Sequence, residues 1–201
     1  GVVRFGGHDI TLTSPQTRVS RGVQQLPGGR AVFEPLSIGD NLRTAGWTMR
    51  RDTELLNARI AGVLETFPML ADRLGEPAGD LSGGQQQMLA LAMVLIHEPE
   101  ILLIDELSLG LAPTVVGELL EIVERLKDRG QTMIIVEQSL NVALSIADRA
   151  VFIEKGRVRF DGPTRELAER GDIARAVFLG GAGNDGDNDS DDDSDGRSSG
   201  Q

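Results

Sequence analysis

An α/β fold with a mostly parallel sheet and an inserted helical segment is what this sequence predicts, on three observations. From residue 100 onward, apolar runs of strand length alternate with amphipathic helical stretches, the pattern of parallel strands joined by crossover helices. Ile101-Leu102-Leu103-Ile104 is wholly apolar and ends in Asp105-Glu106. A strand covered on both faces reads this way, and an acid at its carboxyl end stands where ligands bind in open α/β sheets. Between about residues 40 and 98 the apolar residues recur at helical spacing instead.

Taken in order, Val2–Phe5 and Asp9–Leu12 read as two short strands around Gly6-Gly7. Pro15–Ser20 is a short helix or turn, and Val23–Leu26 a strand broken by Pro27-Gly28-Gly29. Ser37 precedes a helix start. Asp52–Phe67 carries Leu55, Leu56, Ile60, Val63, Leu64 and Phe67 on one helical stripe. A turn at Asp80–Ser82 interrupts the helical region. Ile101–Asp105 and Thr132–Val136 are strands, each followed by a helix, over Pro113–Lys127 and Ser139–Ala147. Val151–Glu154 and Arg157–Phe160 form a hairpin around Lys155-Gly156. Thr164–Arg170 and Asp172–Leu179 are closing helices.

Composition excludes several functions. The 201 residues carry a formal charge of −11, and seven Asp against one Arg lie in residues 181–201 alone. The remainder is only mildly acidic, which argues against a nucleic-acid surface. With no cysteine, disulfides and thiolate metal sites are impossible. His8 and His97 have no ligand-spaced partner. The longest apolar run, Met88–Ile96, is too short to span a bilayer, so no direct membrane insertion is expected. Residues 181–201, rich in Gly, Asn, Asp and Ser, cannot bury enough to order themselves and read as a disordered acidic tail.

Two motifs carry the chemistry. Leu81-Ser82-Gly83-Gly84-Gln85-Gln86-Gln87 opens an apolar helix with a Ser-Gly-Gly turn. Bare backbone N–H groups at the positive end of a helix suit a phosphate. An ordinary cap explains Ser82, but not two glycines followed by three glutamines. About twenty residues later comes Ile101–Glu106. One Asp to hold Mg²⁺ and one Glu to aim or deprotonate a water make a nucleotide-hydrolysis pair. In this order and spacing the two motifs resemble the signature and Walker B elements of the ATP-binding-cassette (ABC) ATPases. Ser108-Leu109-Gly110-Leu111-Ala112-Pro113, Val136-Glu137-Gln138 and Leu26-Pro27-Gly28-Gly29-Arg30 resemble the branched-chain amino-acid importer type.

The resemblance covers residues 1 to about 180 and implies an ABC ATPase domain there, with a helical subdomain at about 40–98; that subdomain and the Q-loop region, about residues 28–80, meet a membrane permease. It implies ATP and Mg²⁺ as cofactors, Asp105 on Mg²⁺ through water, and Glu106 as catalytic base. Gln138 takes the place of the switch His. Ser82, Gly83, Gly84 and Gln85 contact ATP held by a second ABC ATPase subunit, and Ser108 belongs to the loop between the two ATP sites. Gly28 stands where the family has Gln or Glu, and Leu107 where it has Pro. No Gly-x-x-x-x-Gly-Lys-Ser/Thr phosphate loop occurs in these residues. A cassette lacking its amino-terminal P-loop segment, inactive alone, is therefore the expectation. The implied function is the ATP-hydrolysing subunit of an importer, cytoplasmic and peripheral on the inner face of the plasma membrane through integral permease subunits, without nucleic acid as a partner. A hydrolysis-deficient subunit giving only its signature face to a partner is the alternative. A soluble non-transport ABC ATPase ranks third.

Overall fold

The computed structural model describes residues 1–29 and 31–169. A hairpin comes first, β1 (Arg4–Phe5) with β2 (His8–Asp9), turned by Gly6 and Gly7 at positive φ. The second strand begins one residue earlier than expected and stops at Asp9, because this two-residue turn fixes the register. Helix α1 (Pro15–Ser20) is capped by Ser14 and leads to β3 (Val23–Leu26).

The helical region follows the caps written in the sequence. Ser37 caps α2 (Ile38–Ala45) and Asp52 caps α3 (Thr53–Thr66), each side chain accepting from a backbone N–H three residues on. Within the stripe of α3, Leu56 and Val63 are buried while Leu55 faces outward. Phe67, 1% exposed, ends it, and α4 (Pro68–Ala71) follows at once. A 3-10 turn at Ala78–Asp80 stands where the interruption was expected, before α5 (Gly83–Leu95). Nine of the thirteen residues of α5 are buried, so it is the central helix of this body.

Beyond it the parallel sheet is completed by β4 (Ile101–Asp105) and β5 (Thr132–Val136), with α6 (Pro113–Asp128) between them and α7 (Leu140–Ile146) after. The order is β3-β4-β5, with Val23 opposite Ile101 and Asp105 opposite Val136. Helix α6 buries Leu119, Ile122, Val123 and Leu126, one face at helical spacing. Fully burying such a side chain contributes about 1.5–3 kcal/mol. Leu107 is 1% exposed and belongs to this core.

Contacts divide the chain into two units, Gly1–Ala147 and one that starts at Asp148. In the second, β6 (Arg149–Glu154) and β7 (Arg157–Pro163) pair antiparallel around Lys155 and Gly156, both at positive φ. The hairpin is longer than its apolar residues suggest, since Arg149 pairs with Asp161 at 2.7 Å and extends the ladder. Helix α8 (Thr164–Glu169) buries Leu167. The helix expected over Asp172–Leu179 and the acidic tail after residue 180 lie outside the described residues.

Candidate functional site

The carboxyl ends of β3, β4 and β5 lie side by side, so the parallel register alone brings Pro27-Gly28, Asp105-Glu106 and Glu137-Gln138 to one edge. This is the edge where open α/β sheets take their ligands. Asp105 is the last residue of β4 and is half-buried. Glu106 has φ +53, a left-handed conformation that a side chain adopts only when its surroundings insist. Two bonds hold it there. Its N–H donates to the Val136 carbonyl at 2.9 Å, and Gln138 Nε2 donates to its Oε1. Catalytic clusters store strain of this kind.

Gly28 reaches the same place from β3. A Cβ there would come 3.3 Å from the Asp105 carbonyl oxygen and 3.7 Å from Glu106 Oε2. The backbone thus passes close to the acidic pair, and the glycine adds no side chain of its own to it. Ser108 donates its N–H to Glu137 Oε1 at 2.8 Å and its hydroxyl to Glu137 Oε2 at 3.0 Å. Sequence reasoning missed Glu137. The only signal was its place between a strand end and Gln138; its partner lies 29 residues away.

Ser82, Gly83, Gly84 and Gln85 form the first turn of α5. Ser82 Oγ accepts from Gln85 N–H at 3.3 Å, and Gln85 Oε1 accepts from Ser82 N–H at 3.1 Å, a capping box. Gln85 Oε1 also accepts from Arg73, whose guanidinium is held charged above its ordinary range chiefly by the hydrogen bond to Glu76. The Gln85 side chain is thus committed to the turn itself. Ser82 and Gly83 are exposed, and nothing lies within 4 Å of a Cβ at Gly83. The exposed end of this 13-residue helix presents N–H groups outward.

Gly84 differs from its neighbour. A Cβ on it would meet Val115 Cγ1 at 2.1 Å and the Val115 Cβ at 3.1 Å, so the glycine lets α5 approach α6. Gly84→Ala is expected to cost about 1–3 kcal/mol through this overlap. Val115→Ala added to that chain should recover part of the loss in urea midpoints. A double mutant no more stable than Gly84→Ala would remove close approach as the reason for the glycine.

A cleft of about 350 Å³ connects the two motifs, lined by Gly29, Gly83, Gln86, Glu106 and Leu109 among others. A roomier depression of about 510 Å³ lies beside Arg59, Thr66, Glu98 and Arg129 and contains no candidate residue. Both of its arginines are engaged, Arg59 with Glu98 and Arg129 with Thr66. Among the described residues no group of three or more His, Asp or Glu could hold a metal by itself. His97 hydrogen-bonds the Ala45 carbonyl at 2.9 Å, a tie between elements. No described helix is long and apolar enough to cross a membrane.

Comparison with known proteins agrees with this geometry. The sequence profile of the ABC transporter family matches residues 1–108. The chain is 37% identical over 181 residues to the high-affinity branched-chain amino acid transport ATP-binding protein BraG of Pseudomonas aeruginosa, covering 90% of this chain and 76% of that one. It is 36% identical over 170 residues to the probable branched-chain amino acid transport ATP-binding protein LivF of Archaeoglobus fulgidus, covering 84% and 71%. In fold it is similar to the ADP conformation of MJ1267, an ATP-binding cassette of an ABC transporter, with a TM-score of 0.77 at 21% identity over 90% of this chain and 77% of that one. The chain belongs to the ABC transporter family, as one of its ATP-binding cassettes.

Proposed function

We propose that this chain is the ATP-hydrolysing subunit of an importer for branched-chain amino acids or a similar solute. The observation that carries the reading is the contact of Gln138 with Glu106 beside Asp105, at the carboxyl edge of the parallel sheet. Glu106 is the base that orients and deprotonates water, and Gln138 holds its carboxylate and reaches the terminal phosphate. The names of the Pseudomonas and Archaeoglobus relatives support the solute.

The residues present fit Mg²⁺ and nucleotide. Asp105 offers a hard oxygen at a strand end. The absence of a larger acidic cluster among the described residues suits a cation that keeps waters and phosphate oxygens in its shell. Mg²⁺ would supply charge neutralisation on the phosphates there. Ser82 and the N–H groups of Gly83 and Gly84 bind ATP held by a second cassette subunit, Gln85 keeps that turn in shape, and Ser108 lies between the two ATP sites. Residues 1–180 form the cassette domain with its helical subdomain at about 40–98, and about 28–80 meet the permease, which keeps the subunit at the inner face of the membrane. The 201-residue polypeptide alone, containing no Gly-Lys-Ser/Thr phosphate loop, has no turnover of its own.

Deleting the gene in its own organism should lower uptake of labelled leucine, isoleucine and valine. The native gene should restore it, and a Gly83→Asp version should not. An acid at the first turn leaves the helix intact and Gly83 has open space, so the loss would report repulsion of phosphate rather than misfolding. Unaltered uptake of all three amino acids on deletion would overturn the solute assignment. Full restoration by Gly83→Asp would overturn the phosphate role of this helix end.

A further inference from the structure

We propose that Glu137 is a positioning residue: its carboxylate fastens Ser108 to the segment that carries Gln138, so that the loops after β4 and β5 move as one body. The proposal rests on the roles given above to Ser108, Glu106 and Gln138, and adds the part that joins them.

Three successive residues at the end of β5 grip the loop after β4. The Val136 carbonyl takes the Glu106 N–H, Glu137 takes both donors of Ser108, and Gln138 takes the Glu106 carboxylate. The sheet ladder ends at Asp105 and Val136, and past the Glu106 N–H the side chains carry the connection. Glu137 is the one of the three that reaches past Glu106. Past the buried Leu107 the loop is open at its tip, with Leu109 60% exposed and Gly110 at φ +72. A carboxylate has two acceptor oxygens and no donor, which suits an N–H and an O–H from a single residue; both bonds are charge-assisted. With Glu137 in place, displacement of Ser108 by a neighbouring subunit pulls on the residue adjoining Gln138. Without it, the loop can shift while Gln138 and Glu106 stay where they are.

Two variants separate this role from mere support. Glu137→Ala removes both acceptors. Glu137→Gln keeps one, and its amide can still donate to the Ser108 hydroxyl. In deuterium exchange of the 201-residue chain, Glu137→Ala should speed exchange of the Ser108 amide by about tenfold or more, the effect of losing a bond to a charged acceptor. Glu137→Gln should give much less, and segments away from residues 105–112 should be unaltered. No local increase, or an equal increase throughout the chain, would overturn the proposal. In a chimaera carrying an ABC phosphate-loop segment ahead of Gly1, Glu137→Ala should lower kcat with little change in KM. Ser108→Ala should add nothing to that loss, and Glu137→Gln should recover part of it. Unchanged kcat, or losses that add, would overturn the joining role. A chimaera inactive with the native Glu137 would count against the ATPase reading instead, and the exchange result would still decide whether Glu137 holds Ser108.

Discussion

Glu106→Gln in the same chimaera is expected to lower ATP turnover by about 10²–10⁴-fold, the usual loss when a general base is removed, while ATP still binds. The substitution changes one atom and keeps the shape of the side chain. Its carbonyl oxygen can still accept from Gln138 Nε2, so the left-handed backbone at this position keeps its support. What disappears is the capacity to take a proton. Binding of a fluorescent ATP analogue, measured beside phosphate release, separates the two effects. Turnover near the native rate would show that Glu106 is not the base. Loss of binding together with turnover would show that it holds the nucleotide rather than activating water.

Asn41→Ala is expected to destabilise the fold by about 2–3 kcal/mol, the range for orphaning a buried group and emptying its space. Asn41 is wholly buried. Its Oδ1 accepts from Phe33 N–H at 2.8 Å, and its Nδ2 donates to the carbonyls of Phe33, Leu36 and Ser37 at 3.0, 3.3 and 2.9 Å. One side chain on α2 thus fixes the stretch that links β3 and Gly28 to the helical region. Asn41→Asp should cost more than Asn41→Ala, because a carboxylate oxygen would face three carbonyls. Urea unfolding reads both through the midpoint with the slope unchanged. A loss below about 0.5 kcal/mol for Asn41→Ala, typical of a surface change, would mean that water replaces the amide.

Much of the fold could be read from the sequence because its punctuation is local. Ser37, Asp52, Ser82 and Ser139 each cap the helix that follows, and such caps act within three residues. The apolar runs at Val23–Leu26, Ile101–Asp105 and Thr132–Val136 became the three parallel strands. What could not be read depends on distant partners. Leu55 belongs to the stripe of α3 but faces out, since the width of the buried face is set by neighbouring helices. Leu107 stands in a loop by pattern and in the core by packing. In the candidate site, Asp105, Glu106 and Gln138 were legible as strand ends. The hold of Glu137 on Ser108 and the fit of Gly84 against Val115 were not, because each joins side chains from separate elements.

The pairing of Val23 with Ile101 sets the order in which a growing chain can mature. β3 leaves the ribosome with its backbone unpaired and with Leu26 still lacking its final cover. All of α2 to α5 must be synthesised before β4 arrives to meet it. Those helices make their contacts over short sequence distances and can pack early; the strand pairing closes a long loop and comes late. In that interval β3 is an open edge for association with other nascent chains. The edge that bears Glu106 and Gln138 is later still, since it waits for β5. A half-made chain therefore lacks the edge at which Asp105, Glu106 and Gln138 come together.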